Sequence, residues 1–331
     1  MLNRRQFLKA TAATGAAALL GGCRFSPRPT TTPGRALILP ASDYARDLTE
    51  LILDGLREFP ELSARGKSVL LKPNLVETTT SERPINTHPA VVVAAAEAFR
   101  RMDAASIVVA DGPGHRRDIE LVLAQSGLGR ALQEADLDFV DLNHDAVAPV
   151  GNAGRRTILD KLYLPRTVLE ADLVVSLAKL KTHHWAGATL SMKNCFGLMP
   201  GIVYGWPKNV LHRSGRPKEL SIPQAIVDIV QTVRPGFAII DGIVGMEGDG
   251  PIMGSAKPVG CLVMGDQFAS VDATAAAIMG FQPHRIDYLR YADRAGLGGT
   301  NPAVLQQRGE PISLFRTDFA VLPHFAALKS A

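Results

Sequence analysis

Cysteine is scarce in this chain of 331 residues, which contains Cys23, Cys195 and Cys261 and no others. Cys23 lies in a segment that we expect to stand outside the fold, so two thiols remain for structure or chemistry. Two thiolates cannot supply an iron–sulfur cluster of the usual four-cysteine kind, so such a cluster is not expected in this chain alone. A disulfide between the other two stays open, because their separation cannot be read from the sequence.

Aromatic residues and net charge are also low. Phe, Trp and Tyr make up 6% of the chain, and the formal charge is +4 at pH 7. Arg4, Arg5 and Lys9 belong to an N-terminal signal, and removing their three charges from +4 leaves +1. A chain with no basic excess and no nucleic-acid-binding motif is not expected to bind DNA or RNA.

No long hydrophobic run follows the first charged residues. Arg4 and Arg5 lead into a small, alanine-rich apolar run from Ala10 to Leu20, which is too short and too rich in alanine for a stable membrane span. A twin-arginine pair, a short apolar region and small residues near the cut are typical of a twin-arginine export signal. We predict this signal at 1–22, with the twin-arginine export machinery as a partner.

The signal ends in LLGGC, which resembles a lipobox with Cys23 as the acylated first mature residue. The alternative is an ordinary cut elsewhere. The segment 23–34 is rich in Pro, Thr and Arg and cannot bury enough apolar surface to fold, so it suits a lipid-attached tether. We therefore expect an exported protein on the periplasmic side of the cell envelope, anchored to a membrane through Cys23.

Short apolar runs alternate with helical patterns over the remaining 35–331. Strands that are apolar throughout, rather than alternating, predict an α/β fold with a mostly parallel sheet and helices on both faces. The chain is long enough for one large domain or two lobes, at about 35–150 and 151–331. Strands are expected at 35–40, 67–71, 105–110, 137–142, 171–178, 236–241 and 258–265, and helices at 44–59, 89–102, 116–135, 188–198, 222–233, 267–279 and 284–295.

Polar clusters follow five of these strands. Because ligands bind at the carboxyl ends of strands in open parallel sheets, we expect the clusters to share one crevice at that edge. In chain order they contain Lys72 and Asn74; Asp111, Gly112 and Gly114; Lys179, Lys181, His183 and, further on, Lys193; Asp241, Glu247 and Asp249; and Asp266 with Asp272.

Three chemistries fit such a mixture of cations and carboxylates. Lysines and backbone amides in glycine-rich turns can hold a phosphate or carboxylate. Carboxylates with histidine can hold a divalent metal that activates water or polarises a carbonyl. A buried lysine beside a carboxylate can move protons. The sequence does not decide between them.

Several residues have a structural alternative. Cys195 is either a nucleophile or a small packing residue, and Asp272 is either a metal ligand or a charge in the first turn of a helix. His183 and His184 are adjacent and point opposite ways in an extended segment, so at most one is expected to face the site, and we favour His183. The stretch 196–220 is long and rich in Gly, Pro and basic residues, which makes it a candidate functional loop.

Seven segments, in order, resemble the DUF362 family: KPNLV (72–76), THPAVV (87–92), DGPG (111–114), AKLKTH (178–183), TLSMKNCFGLMPG (189–201), DGIVGMEGDGP (241–251) and GDQFASVDATAAAIMG (265–280). The family has no known function, and its members labelled iron–sulfur centre proteins usually carry a ferredoxin-like module that this chain lacks. The resemblance implies a shared site without naming its chemistry.

Two functions are expected from these residues. The first is an enzyme acting on a small anionic substrate, with or without a divalent metal. The second is a lipoprotein that binds a metal, cofactor or anion without turnover. For the enzyme, the expected roles are catalysis by Lys181, His183 and Asp241; anion binding by Lys72, Asn74, Lys179, Lys193, Gly112 and Gly114; and metal binding by Asp111, Glu247, Asp249 and Asp272.

Overall fold

A computed structural model describes residues 34–301 and 305–329. The predicted signal at 1–22, the proposed lipidation site Cys23 and the tether up to residue 33 lie outside these ranges. Across 34–301 and 305–329, no helix is both long enough and apolar enough to cross a membrane.

The described residues contain eleven β-strands and eleven α-helices. The strands are β1 (Arg35–Pro40), β2 (Ser68–Pro73), β3 (Ser106–Asp111), β4 (Asp138–Asp141), β5 (Val147–Gly151), β6 (Lys161–Pro165), β7 (Leu173–His183), β8 (Gly187–Thr189), β9 (Phe237–Glu247), β10 (Ser255–Gly265) and β11 (Gln306–Gly309). The helices are α1 (Leu48–Arg57), α2 (Pro89–Arg101), α3 (Ile119–Ser126), α4 (Leu128–Glu134), α5 (Arg166–Glu170), α6 (Ser191–Asn194), α7 (Gly201–Tyr204), α8 (Ser221–Val233), α9 (Phe268–Ile278), α10 (Asp287–Arg294) and α11 (Ile312–Phe315).

The main sheet of the described chain has nine strands in the order β11-β1-β10-β9-β7-β2-β3-β4, and β8 pairs with β7 outside this path. The five pairs β9-β7, β7-β2, β2-β3, β3-β4 and β1-β11 are parallel. Strands from both predicted lobes, 35–150 and 151–331, are therefore neighbours in one sheet. The predicted α/β fold with a mostly parallel sheet is confirmed.

Both faces of the sheet are covered, which explains why its central strands are largely apolar on both faces. Val174 and Val175 are adjacent on β7 and both are 0% exposed, yet they belong to different apolar cores. The core around Val175 includes residues of α1 and α2, whereas the core around Val174 includes residues of α8, α9 and α10. Successive side chains of a strand point to opposite faces, so a central strand such as β7 is apolar on both faces over most of 173–178.

One strand runs against the expected direction. β10 pairs antiparallel with both β9 and β1, and Gly265 lies opposite Ala238 at the start of β9. Asp266 therefore lies at the edge opposite the expected crevice, where it forms an ion pair with Arg35 at 3.0 Å. An apolar run has no direction, so the sequence could not distinguish this strand from its parallel neighbours.

One local expectation also changes. The segment 188–198, expected to be one helix, consists of β8, the four-residue α6 and a 3-10 turn at Cys195–Leu198. Outside the main sheet, β5 and β6 form a separate antiparallel pair.

Candidate functional site

The carboxyl ends of β3, β2 and β7, three neighbouring parallel strands, open onto one crevice. It is lined by twenty residues from these strand ends and from the segments 112–115, 184–197 and 207–212, together with Pro251. The cavity volume is about 90 Å³. A buried water needs roughly 10–15 Å³ of such space, so the cavity can hold a ligand of a few non-hydrogen atoms. Its charged or ionisable lining residues are Lys72, Asp111, His115, His183, His184, Lys193, Lys208 and His212.

The crevice is built on an ion pair between Lys72 at the end of β2 and Asp111 at the end of β3. The Lys72 Nζ lies 2.7 Å from Asp111 Oδ1, and both side chains are 1% exposed. Asp111 also accepts backbone hydrogen bonds from Leu75 (2.8 Å) and Gly112 (2.7 Å). Among the described residues, Asp111 is the one carboxylate that lines the crevice, and it already forms an ion pair with Lys72.

The segment 196–220 packs directly on this ion pair. A Cβ at Gly197 would lie 2.1 Å from Asp111 Oδ1 and 2.6 Å from Lys72 Cε, so a side chain cannot fit there. A Cβ at Gly112 would lie 2.9 Å from the Gly197 carbonyl oxygen, so both glycines permit close approach. The predicted functional loop thus forms part of the crevice wall.

Asp272 has a structural role in placing this wall. It is 0% exposed on α9 and accepts hydrogen bonds from the backbone N–H groups of Ser191 (2.8 Å) and Met192 (3.0 Å) at the start of α6. Burial raises the pKa of Asp272 to about 7, against the effect of these hydrogen bonds. At the end of α6, Asn194 accepts a hydrogen bond from Lys72 Nζ at 2.9 Å. Both ends of α6 are therefore fixed, and the helix carries Lys193 between them.

Lys193 is a cation of the crevice that lacks a hydrogen-bond or ion-pair partner in the described part of the chain. Among the residues that the structure describes, none accepts a hydrogen bond from its Nζ or forms an ion pair with it. Its Nζ lies 4.1 Å from the centre of the Phe196 ring. Burial and the charge of Lys72 lower the pKa of Lys193 to about 7. An unpaired cation in a partly desolvated site favours a bound anion.

The sequence assigned no role to Lys208, His212 or His115, although His115 belongs to the polar cluster that follows β3. The Lys208 Nζ donates hydrogen bonds to Asn143 Oδ1 and the Met199 carbonyl oxygen, both at 2.5 Å, and burial lowers its pKa to about 7. Burial lowers the pKa of His212 to about 4 and also lowers that of His115. No strand precedes Lys208 or His212, so the strand-end rule could not find them. The feature of the sequence that could have identified Lys208 and His212 is their position in the basic segment 196–220.

His183 and His184 both line the crevice, so the expectation that at most one would face it is wrong. β7 ends at His183 and the chain turns at 184–186, so the two residues do not share one extended segment. His183 Nδ1 accepts hydrogen bonds from the backbone N–H groups of Trp185 (3.0 Å) and Ala186 (3.3 Å). The neutral ring therefore carries its proton on Nε2. Burial and Lys193 hold the pKa of His183 well below its usual value.

Two buried polar atoms in the crevice lack a partner. Asn74 Oδ1 and Thr189 Oγ1 have no hydrogen bond within the described residues, although Asn74 is 8% exposed and Thr189 is 4% exposed. Buried polar atoms normally have a partner, so each orphan marks a place where a ligand or water would bind. Both atoms belong to residues that line the crevice with Lys193.

Lys179 and Asp241 form a second buried cluster that does not line the crevice. The Lys179 Nζ lies 2.8 Å from Asp241 Oδ2 and 2.8 Å from the Tyr44 hydroxyl. Asp241 also accepts hydrogen bonds from the Tyr44 hydroxyl (3.0 Å) and from the backbone N–H of His88 (3.1 Å) and Ile243 (3.2 Å). Each charge is therefore satisfied inside the protein.

Lys181 lies outside the lining as well. It is 0% exposed, and its Nζ donates hydrogen bonds to the carbonyl oxygens of Ile85 (2.5 Å) and Pro251 (3.4 Å). Burial, with repulsion from other lysines, holds the pKa of Lys181 well below its usual value. The catalytic roles assigned to Lys181, His183 and Asp241 stay predictions, and of these three residues only His183 lines the crevice.

The structure does not bring the four expected metal ligands together. Glu247 forms an ion pair with Lys257 (3.1 Å), Asp249 lies 3.5 Å from His184 Nδ1, and Asp111 and Asp272 have the contacts given above. In 34–301 and 305–329, no group of three or more His, Cys, Asp or Glu side chains is placed to hold a metal ion.

Cys195 and Cys261 are both free and buried. Burial raises the pKa of each thiol to about 12, so neither is an activated nucleophile. For Cys195, this supports the packing alternative.

Trp185 is 53% exposed and lines the crevice.

A family model described as "Domain of unknown function (DUF362)" matches residues 69–277, which contain every crevice residue named above. The chain belongs to the DUF362 family. A second model, of the twin-arginine translocation signal sequence, matches residues 1–21 and supports export across the membrane by that pathway. The predicted family and export signal are confirmed.

One relative of this DUF362 protein is a thylakoid-associated protein of Synechocystis sp. It is 28% identical over 237 residues, which cover 71% of this chain and 70% of the relative.

Two solved structures are more distantly similar. The lactate racemase apoprotein of Thermoanaerobacterium thermosaccharolyticum has a TM-score of 0.48 and 15% identity, over 74% of this chain and 57% of its own. A protein from Thermotoga maritima has a TM-score of 0.37 and 19% identity, over 60% of this chain and 50% of its own. Similarity at this level carries no information about a reaction or substrate.

Proposed function

We propose that this DUF362 protein is an exported enzyme that binds a small carboxylate- or phosphate-bearing substrate in the crevice. The observation that carries the proposal is Lys193, a cation without a protein partner in the described residues. Of the residues that the structure describes, three lysines and four histidines line the crevice together with one carboxylate, Asp111, which Lys72 already neutralises. Such a site attracts anions and repels cations.

Catalysis is favoured over simple capture because the crevice contains groups that titrate near neutral pH. The pKa values of Lys193 and Lys208 are both lowered to about 7, and perturbed pKa values in a cleft are typical of acid–base sites. The other candidate is a binding protein that captures a small anion without turnover. The same crevice supports it, and incubation of candidate substrates with the protein, followed by product analysis, separates the two.

The test of anion binding uses oxalate, a small dianion without a reactive carbonyl, measured by calorimetry at pH 6.5. We expect Lys193→Met to weaken oxalate binding by about 10–100-fold, because a hydrogen bond between charged groups contributes roughly 1.5–3 kcal/mol. Lys193→Arg retains the charge and most of the affinity. Lys161→Met changes an exposed lysine of β6 outside the crevice and is the matched control. Equal affinity in wild type and Lys193→Met would contradict the proposal.

We further propose that Cys23 carries a lipid that anchors the exported protein on the periplasmic side of the envelope. The lipobox-like LLGGC supports this, and the Synechocystis relative is described as thylakoid-associated. Cys23→Ser should move the protein from the carbonate-washed membrane pellet to the soluble fraction and leave its oxalate affinity unchanged. Recovery of Cys23→Ser in the washed membranes would overturn the anchor.

A further inference from the structure

The three lysines of the crevice differ in how their amines are used. The Lys72 Nζ has three acceptors, one for each proton of an ammonium group: Asp111 Oδ1 (2.7 Å), the Pro73 carbonyl oxygen (2.6 Å) and Asn194 Oδ1 (2.9 Å). The Lys208 Nζ has two acceptors, both at 2.5 Å. Both amines are therefore held by acceptors of the protein. The Lys193 amine, by contrast, has no hydrogen-bond acceptor among the described residues, and it lies over the face of the Phe196 ring.

Lysine becomes a nucleophile when desolvation or an adjacent cation lowers its pKa and frees the nitrogen lone pair. Lys193 has both conditions, since it is partly buried beside Lys72 and its pKa is lowered to about 7. Its position is also fixed, because Asp272 holds the start of α6 and Asn194 donates hydrogen bonds to the Lys72 carbonyl oxygen (3.1 Å) and Ser176 Oγ (2.9 Å).

We propose that Lys193 forms a Schiff base with a substrate that carries an aldehyde or ketone next to its anionic group, such as a 2-oxo acid. This inference rests on the proposed function: the same crevice binds the anionic group, and the neutral form of Lys193 reacts with the carbonyl beside it. Lys208, which uses two of its three protons inside the protein, and the Nε2–H of His183 can then donate hydrogen bonds to the anionic group. Asn74 Oδ1 and Thr189 Oγ1 are unpartnered within the described residues, and either oxygen can accept the one hydrogen bond that the hydroxyl of the addition intermediate donates.

The chemical step balances without a cofactor. The neutral Lys193 amine adds to the carbonyl carbon, a nitrogen–carbon bond forms, and the carbonyl oxygen becomes a hydroxyl by taking a proton from the amine. The hydroxyl then takes one proton from solvent at the crevice mouth and leaves as water. The product is a protonated imine, which retains one of the two amine hydrogens, and no electrons are gained or lost.

The experiment traps the imine by reduction. The exported full-length protein is incubated with pyruvate and sodium cyanoborohydride at pH 8, and intact mass and peptide maps are recorded. We expect one carboxyethyl group per chain, located on Lys193, in wild type and in Lys161→Met. In Lys193→Arg, which retains the cation, labelling should fall at least tenfold. Excess oxalate should protect Lys193 in the wild type.

Peptide mapping of the wild type is informative even if a variant folds poorly. Labelling spread over exposed lysines without preference for Lys193, or full labelling of Lys193→Arg, would overturn the Schiff base. Glyoxylate serves as a second, smaller probe, and failure of both probes to label Lys193 would also overturn it. Oxalate affinity measured on the same preparation separates the two proposals: binding without labelling rejects only the Schiff base, whereas absence of binding rejects the anion site itself.

Discussion

Asp241→Asn is expected to lower the free energy of unfolding by about 3–5 kcal/mol, because it leaves the buried Lys179 ammonium without its counter-charge. Asp241 is 0% exposed and accepts four hydrogen bonds, from Lys179, Tyr44 and two backbone N–H groups. Lys179→Met should cost a similar amount for the converse reason. Urea unfolding followed by circular dichroism measures both.

The double variant Lys179→Met/Asp241→Asn removes both charges and should recover a substantial part of the loss, since no uncompensated charge then remains. Glu134→Gln is the matched control, because Glu134 pairs with Arg130 at the surface with both side chains more than half exposed. Such exposed pairs contribute about 0–1 kcal/mol. If the double variant is as unstable as the sum of the single variants, the two charges do not stabilise one another.

Asp111→Asn should destabilise the fold as strongly, by about 3–5 kcal/mol, and yet strengthen anion binding. Asp111 is the carboxylate of the crevice lining and neutralises Lys72 at 2.7 Å. Removing its charge frees the Lys72 ammonium to face the ligand, so oxalate should bind several-fold more tightly. Oxalate should therefore raise the unfolding free energy of Asp111→Asn more than that of the wild type at equal concentration.

Calorimetry and urea unfolding with and without oxalate measure the two effects of Asp111→Asn. Lys161→Met, outside the crevice, should change neither quantity. A carboxylate that contributed to ligand binding would give the opposite sign, so weaker oxalate binding by Asp111→Asn would contradict a site that selects anions by excess positive charge.

The fold was predictable because the sheet is buried on both faces. β7 contacts two cores and is apolar at every position of 173–178 except Ser176, and that pattern can be read from the sequence. The direction of a strand cannot be read from an apolar run. The sequence therefore predicts Asp266, at the end of β10, at the crevice edge, whereas the structure places it at the opposite edge. Lys72, Asp111 and His183 could be predicted to share one crevice because each lies at the carboxyl end of a parallel strand.

The partner of each charge could not be predicted, and it decides the function of the crevice. Lys179 and Lys193 look alike in sequence, yet Asp241 neutralises one and no described residue neutralises the other. Tyr44 comes from a loop that precedes α1 and contributes its hydroxyl to the Lys179 cluster. Contacts between segments so far apart in sequence depend on packing that no local pattern encodes.

The most direct test of the account is the pH dependence of oxalate affinity between about pH 6 and 9, where oxalate keeps its charge. With a pKa of about 7, Lys193 is charged below this value and neutral above it, so affinity should fall as pH rises. The limiting slope is about tenfold per pH unit for one proton. In Lys193→Met most of this dependence should vanish, and the remainder belongs to Lys208. A wild-type affinity independent of pH, or the same slope in Lys193→Met, would contradict the assignment of Lys193 as the anion-binding cation.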